Sequence, residues 1–226
     1  MPNFFNKNIP KTLSYFLGEL FVVVLGIFIA VQLNNWNENR KEKKEVSKAL
    51  KSLLSDLQTE KYVLKLWKEH LNKSIDYLNE ITTDSAHGLD SIPFYLDSEY
   101  YHQKINASYI NLKFGGNLNT ISNDTLKYVL TSFYEAGYDA HDAFSRSHTA
   151  FIHNNVRPYI LSEFLINKNN LADVAIVKTK LKDKSLLNLI NSQISAYQHI
   201  NTSLLDTVRL NSIIKVVEKE ITKTNQ

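Results

Sequence analysis

Cysteine is absent from this 226-residue chain, which excludes a disulfide framework, a thiolate zinc site and a cysteine nucleophile. Glycine and proline are scarce, at six and four. Beyond residue 36 only Gly88, Gly115, Gly116, Gly137, Pro93 and Pro158 remain, too few turn signals for an all-β domain, so helices must dominate. An excess of one charge is lacking as well: 26 basic and 23 acidic residues, well mixed, leave a net +3 that reads as solvated surface rather than a nucleic-acid footprint. With 43% hydrophobic residues the chain has material for one core of ordinary size plus an appendage, and it does not fit the composition of a disordered protein.

The appendage is easy to find. From Leu13 to Leu33 only Ser14, Glu19 and Gln32 are strongly polar, and a helix of that length rises roughly 30 Å, enough to cross a hydrocarbon core. The uninterrupted stretch Leu20 to Val31 is shorter and would by itself suit a signal peptide or a buried helix, so the flanks decide. No small-x-small cleavage site follows it. Instead Trp36 stands at the position of an aromatic belt and Arg40, Lys41, Lys43 and Lys44 suit a headgroup layer, while Lys11, Tyr15 and Phe16 bracket the other end. The expected organisation is a short tail over 1–12, a transmembrane helix over 13–36 and a helical domain over 37–226. Glu19 falls at the interface if the span begins at Leu20; placed deeper, it would be a carboxyl that pairs with another subunit or carries a proton. Gly26 and Ala30 form a small-xxx-small pair, which would let two such helices approach closely. Basic residues after the span outnumber those before it, a vote for a cytoplasmic domain. Against that, a short basic head before an uncleaved apolar run reads as a signal anchor that sends the domain outward.

The same stretch, "GELFVVVLGIFIAVQLNNWNENRK", resembles the start of an uncharacterised bacterial family classed only as a domain of unknown function. The matching positions are Gly18 and Glu19, Gly26 and Ile27, Ile29 and Ala30, Gln32, and Asn34 to Glu38. A second stretch, "SYINLKFGGNLNTISNDTLKYVLTSFYE" from Ser108 to Glu135, is similar to that family's middle segment, with Gly115 standing where a Ser is expected. The resemblance implies architecture and a place in the bacterial inner membrane, with the large domain leaning to the periplasmic side; it implies no chemistry.

Directly after the basic collar, leucine recurs every seventh residue at Leu50, Leu57, Leu64, Leu71 and Leu78. The companion seam, Val46, Leu53, Glu60, Trp67, Ser74 and Ile81, is interrupted by Glu60 and Ser74, and Leu54, Tyr62, Val63 and Leu66 widen the apolar surface. A wide face wants several neighbours, so a long helix over about 40–82 packed within its own bundle is preferred to an intermolecular coiled coil. The expected fold is all-α: one transmembrane helix followed by an antiparallel helical bundle. A loop is expected over 83–97, with further helices over about 98–114, 124–155, 158–167 and 185–222. The segment around Val174 to Val177 reads as loop or short helix, and Leu187, Ile190, Ile194, Tyr197, Leu204, Val208 and Val217 as the buried face of the last helix.

For chemistry, the best cluster is "YEAGYDAHDAFSRSH", with Glu135, Asp139, Asp142 and Arg146 along one face and His141 and His148 on another. The spacing fits neither His at i and i+4 nor an inward Glu-x-x-His pair, so no metal and no cofactor are expected, and Asp142 with Arg146 reads as an i,i+4 ion pair. Gly115 and Gly116 lack the Gly-Lys-Ser/Thr of a phosphate loop, and no nucleophile elbow exists. Three readings remain. The first is an interaction, oligomerisation or sensing module whose partners are the bilayer, a second copy or another membrane protein, and not nucleic acid. The second is a small-molecule domain with a pocket among Tyr109, Phe114, Phe133, Tyr134 and Tyr138. The third, and the least favoured because no catalytic motif is found, is a metal-dependent or hydrolytic enzyme using Glu135, Asp139, His141 and His148.

Overall fold

A computed structural model of the chain describes residues 11–83, 88–204 and 206–224. Most of the tail expected over 1–12 and the centre of the loop expected over 83–97 lie outside the described residues. The described residues form helices and no strand; the sole β feature among them is an isolated bridge between Ile166 and Ala172.

The first helix, α1, runs from Lys11 to Glu80 without a break, about 105 Å at the ordinary rise. The apolar helix and the leucine helix, expected as separate elements, are one rod. The physical reason is that "NNWNENRKEKKE" holds no Gly or Pro to stop it, and Asn34 ties back to Glu38 at 3.0 Å. The rod has two environments. From Tyr15 to Glu45 every residue is exposed, including Phe21 at 66%, Ile27 at 61% and Trp36 at 62%. From Val46 onward one face is core: Leu50, Leu57, Leu64, Leu71 and Leu78 are at most 2% exposed, as are Leu53 and Ile81. Their neighbours are the chain's own helices.

The chain then turns back. A 3-10 turn, Leu89–Ser91, leads to α2, Ile92–Leu96, and an extended strap over 97–106 precedes α3, Ala107–Phe114. The helix expected over 98–114 is therefore helical only in its second half. Gly116, with φ at 80°, turns the chain into the short α4, Asn117–Thr120. Asn123 caps α5, Asp124–Thr131, accepting from Leu126 N, and reaches across to Glu220 at 2.8 Å. A π turn, Ser132–Gly137, joins α5 to α6, Tyr138–Phe151, and a second, Ile152–Val156, joins α6 to α7, Arg157–Glu163. Pro158 does not end the rod: it follows directly on the π turn Ile152–Val156, where the bonding shifts to i→i+5, Arg157 N–H to Ile152 O, next to the residue that has no N–H to give. The helices expected over 124–155 and 158–167 are thus one rod with two π insertions that ends at Glu163. The ambiguous segment is helical as α8, Val174–Lys180, capped by Asp173.

Helix α9, Lys184–His199, continues through a third π turn, Ile200–Leu204, toward α10, Thr207–Thr224. This return arm runs antiparallel to α1: Asn201 meets Asn72 at 2.6 Å, Thr207 and Asn211 lie beside Lys61 and Lys65, and Thr224 reaches Lys43 and Lys51. The expected final helix over 185–222 is interrupted, and this changes its buried face. Leu186 rather than Leu187 is in the core, and Val208 is 76% exposed, because the π turn and the break re-register the face to Leu210, Ile213, Ile214 and Val217. The side chain of Leu204 lies outside the described residues.

Candidate functional site

The strap over 97–106 has no helix to satisfy its backbone, yet it lies against the core with Tyr100 and His102 buried and Tyr101, Gln103 and Lys104 exposed, and unpaired peptide groups on its inner side would be costly. Side chains supply the partners. Tyr100 N–H donates to His148 Nδ1 at 3.1 Å, and Ser145 Oγ donates to Tyr100 O at 2.9 Å. Gln193 Nε2 donates to Ser98 O, and the Tyr197 hydroxyl approaches Tyr95 O and Ser98 O at 3.0 and 2.9 Å. Tyr138 Oη meets both Ile105 N and Ile105 O at 3.2 Å, and Ser108 N donates to Asp56. A peptide N–H can only donate, so His148 accepts at Nδ1, carries its proton on Nε2 and donates to Gln193 Oε1 at 3.0 Å. Burial holds the His148 imidazole below its ordinary range, against the pull of Gln193 and Glu99.

Next to this lies a second group. Glu60 on α1, 1% exposed, receives His102 Nε2 at 2.7 Å on one oxygen and Tyr138 Oη at 3.1 Å on the other. The His102 ring stacks on His141 at 4.1 Å, and His141 Nδ1 meets Tyr100 Oη at 2.5 Å. Burial first, and then the charge of Glu60, push the Tyr100 and Tyr138 phenols above their ordinary range; for Tyr134, burial and Asp56 act ahead of Glu60. His102 Nδ1 and Tyr134 Oη are buried without a hydrogen-bond partner among the described residues. Ser74, the other interruption of the seam, is fully buried and returns its hydroxyl to His70 O at 2.9 Å.

The positions that break the leucine seam are therefore where α1 exchanges apolar packing for polar contacts, and Glu60 is the one that reaches the strap. The arrangement can hold protons and fix the path of an extended segment. All of Glu60, His102, Tyr138, His141 and His148 are buried; Glu60 joins His102 and Tyr138, and the two other histidines bond Tyr100 and Gln193.

The cluster foreseen on α6 is divided by the fold. His141 and His148 face the core, 8% and 3% exposed, and join the two groups just described. Glu135 lies at the surface, where Lys113 and the Tyr109 hydroxyl hold its carboxyl below the usual range, and Asp139 is exposed. Asp142 pairs with Lys104 of the strap at 2.5 Å instead of with Arg146, because the strap brings a lysine over that face. Among the described residues, no group of three His, Cys, Asp or Glu is placed to hold a metal ion. The aromatic set packs largely on itself: Tyr109 stacks on Tyr134 at 4.6 Å, Phe133 and Tyr138 pack against Tyr134, and Phe114 is 79% exposed. Sequence reasoning did not select Glu60, Tyr100, His102, Gln193 or Tyr197 as a site; the one available signal was a carboxylate in an otherwise apolar heptad seam.

Toward the surface the start of the strap is tied by charge. Arg157 pairs with Asp97 at 2.7 Å and with Glu99, and His153 and Thr149 also bond Glu99. Tyr15 to Glu80 is a helix long and apolar enough to cross a membrane, and none of its apolar window is buried.

Fold and site together define an all-helical protein built on a single long rod, bare and apolar at one end and threaded at the other by an extended strap on buried polar partners. The chain belongs to a family of unknown function, DUF6090, whose model matches residues 19–141, more than half of its length. That span takes in the apolar helix, Glu60, the strap, Tyr138 and His141, and stops short of His148, Gln193 and Tyr197. No curated protein and no solved structure matches it.

Proposed function

We propose that this chain is a single-pass, membrane-anchored helical module that acts through protein association or sensing at the bilayer surface rather than through catalysis. The observation that carries the reading is the apolar sleeve of α1, exposed all round from Tyr15 to Trp36 and continuous with the rod on which the domain packs. The core helix of a soluble protein would bury such a surface, and water would leave it a large aggregating patch; lipid removes the cost. Trp36 with Arg40 over its ring at 5.9 Å, and Lys41 beyond, form the interfacial anchor. Glu19 lies at the opposite boundary. The membrane is the bacterial inner membrane, and the domain faces the periplasm. Its partners are the bilayer and a second copy, or another membrane protein, gathered through the Gly26 and Ala30 face.

Alkaline carbonate extraction tests the anchor. Wild type stays with the membrane, whereas Leu25→Arg with Phe28→Arg, at about 2.5–3.5 kcal/mol each on insertion scales, releases the chain. Wild type washing off would sink the reading. Single cysteines at Asn3 and Ser185 test its orientation with a membrane-impermeant maleimide in intact cells, and labelling at Ser185 alone is expected.

A further inference from the structure

Where the rod leaves its bare segment, a cleft of about 830 Å³ opens along one face of α1, closed at its far side by Thr224 at the end of α10. Its wall is a stripe at helical spacing: Trp36, Arg40, Lys43, Lys44, Lys48 and Lys51. All six are exposed, and Glu45 is the one carboxylate among the described lining residues. Some exposed lysines of this protein sit against acids, as Lys113 does with Glu135 and Lys104 with Asp142. These five cations have no such ion pair among the described residues, and gathered on one face against the single carboxylate of Glu45 they give the cleft a local excess of positive charge in a chain whose charge is otherwise balanced.

We infer that this cleft seats the phosphate of an anionic phospholipid headgroup, with Arg40, Lys43 and Lys44 in contact and Trp36 packed at the acyl boundary. The inference rests on the membrane-anchored reading and adds to it a ligand. Helical rise sets the depth: with Trp36 at the edge of the hydrocarbon, Arg40 stands about 6 Å and Lys43 and Lys44 about 10–12 Å further out, within or just above a headgroup layer some 5–8 Å thick. Lys48 and Lys51 lie about 18–22 Å out and act only through the screened field. The guanidinium of Arg40, steadied over the indole, offers a planar fork to phosphate oxygens, while the two lysines supply point charges. A cation near an anionic surface is worth roughly a fivefold gain in binding, so three together give about a hundredfold preference over a zwitterionic lipid.

The experiment uses the full chain in detergent micelles, titrated with phosphatidylglycerol or phosphatidylcholine and read by native mass spectrometry, beside carbonate extraction of the same variants from membranes. Selective retention of phosphatidylglycerol is expected. Arg40→Gln with Lys43→Gln and Lys44→Gln should weaken it by about a hundredfold; resistance to carbonate, which the apolar run Leu20 to Val31 carries rather than the collar, and the thermal midpoint should persist, and Lys48→Gln with Lys51→Gln should cost only a few-fold. A resident chain that does not discriminate the two lipids, or whose selectivity survives the triple change, overturns the lipid site alone. Equal losses in the two variants, or displacement of the lipid by inorganic phosphate at matched ionic strength, would mark a free-anion site in place of a headgroup seat. A wild-type chain released by carbonate overturns this inference together with the anchor.

Discussion

At the scale of single residues, Glu60 decides most. Replacing it by leucine restores the apolar seam but leaves His102 Nε2 and Tyr138 Oη facing an apolar group in the core. We expect Glu60→Leu to lose about 3–5 kcal/mol in urea denaturation, and the triple change with His102→Phe and Tyr138→Phe to recover part of it, since polar partners removed together cost far less than one removed alone, while Ile105 N and O lose the Tyr138 hydroxyl in exchange. A triple variant no more stable than the single would show that the cluster does more than satisfy itself. His148 adds a pH dependence whose sign is set by burial. Its folded pKa is depressed below the ordinary 6.5, so on acidification the unfolded chain takes up a proton that the folded one refuses. Stability is full above that value and falls as pH drops through it. His70, also depressed by burial and then by Lys73, acts in the same sense. Glu99 adds a lower window: although burial pushes it up, His153, Thr149 and Arg157 hold it below 4.5, so its contribution is lost as pH falls past that point. Denaturation midpoints from about pH 8 to pH 5 should decline, and His148→Gln should flatten the upper part of the decline. A flat wild-type profile would remove the buried imidazole from the account.

At the scale of elements, the strap is the unusual piece. An extended segment in an all-helical protein trades intrahelical bonds for side-chain partners: Tyr138, Ser145 and His148 from α6 and Gln193 and Tyr197 from α9 serve its peptide groups, and Glu60 from α1 holds its His102 side chain. Three π turns accompany them, each directly before or after a helix that supplies a contact, where an added residue re-aims the buried face. Gln193→Leu, which keeps the volume and removes the amide, should cost about 1–3 kcal/mol and speed amide exchange at Tyr100 more than in α1. Equal acceleration everywhere would mean that the strap has no local stability of its own. The turn after α3 explains one departure from the expected pattern. A side chain at Gly115 would bring a Cβ within 2.6 Å of Asn111 O, so serine fits there only if this turn shifts.

At the scale of the whole molecule, the rod joins a bare end to a packed one, and the proposed association belongs to the bare end. A Cβ at Gly26 meets nothing within 4 Å inside the chain, so Gly26→Leu leaves the domain intact. If two copies meet at this face, that change should lower the dimer fraction in detergent at least several-fold, as read by cross-linking or sedimentation, with the thermal midpoint unmoved. A wild-type chain that is monomeric at every concentration would send the search to a different partner.

Much of this was legible from residue order. Period-seven leucines, scarce Gly and Pro and an apolar run with a Trp and a basic collar dictate helices, a core face and an exposed apolar end, because those signals are local and repeat along one element. What the order could not say is where the helices stop being helices. Nothing in "SEYYHQKIN" forbids a helix; it is extended because His148, Gln193 and Tyr138, distant in sequence, offer its peptide groups better partners there. The same holds for Glu60: as a sequence letter it interrupts a seam, and only the arrival of His102 and Tyr138 from other elements turns it into the centre of one. Periodicity determined the surfaces, and long-range hydrogen bonding in a low-dielectric core decided the path of the chain between them.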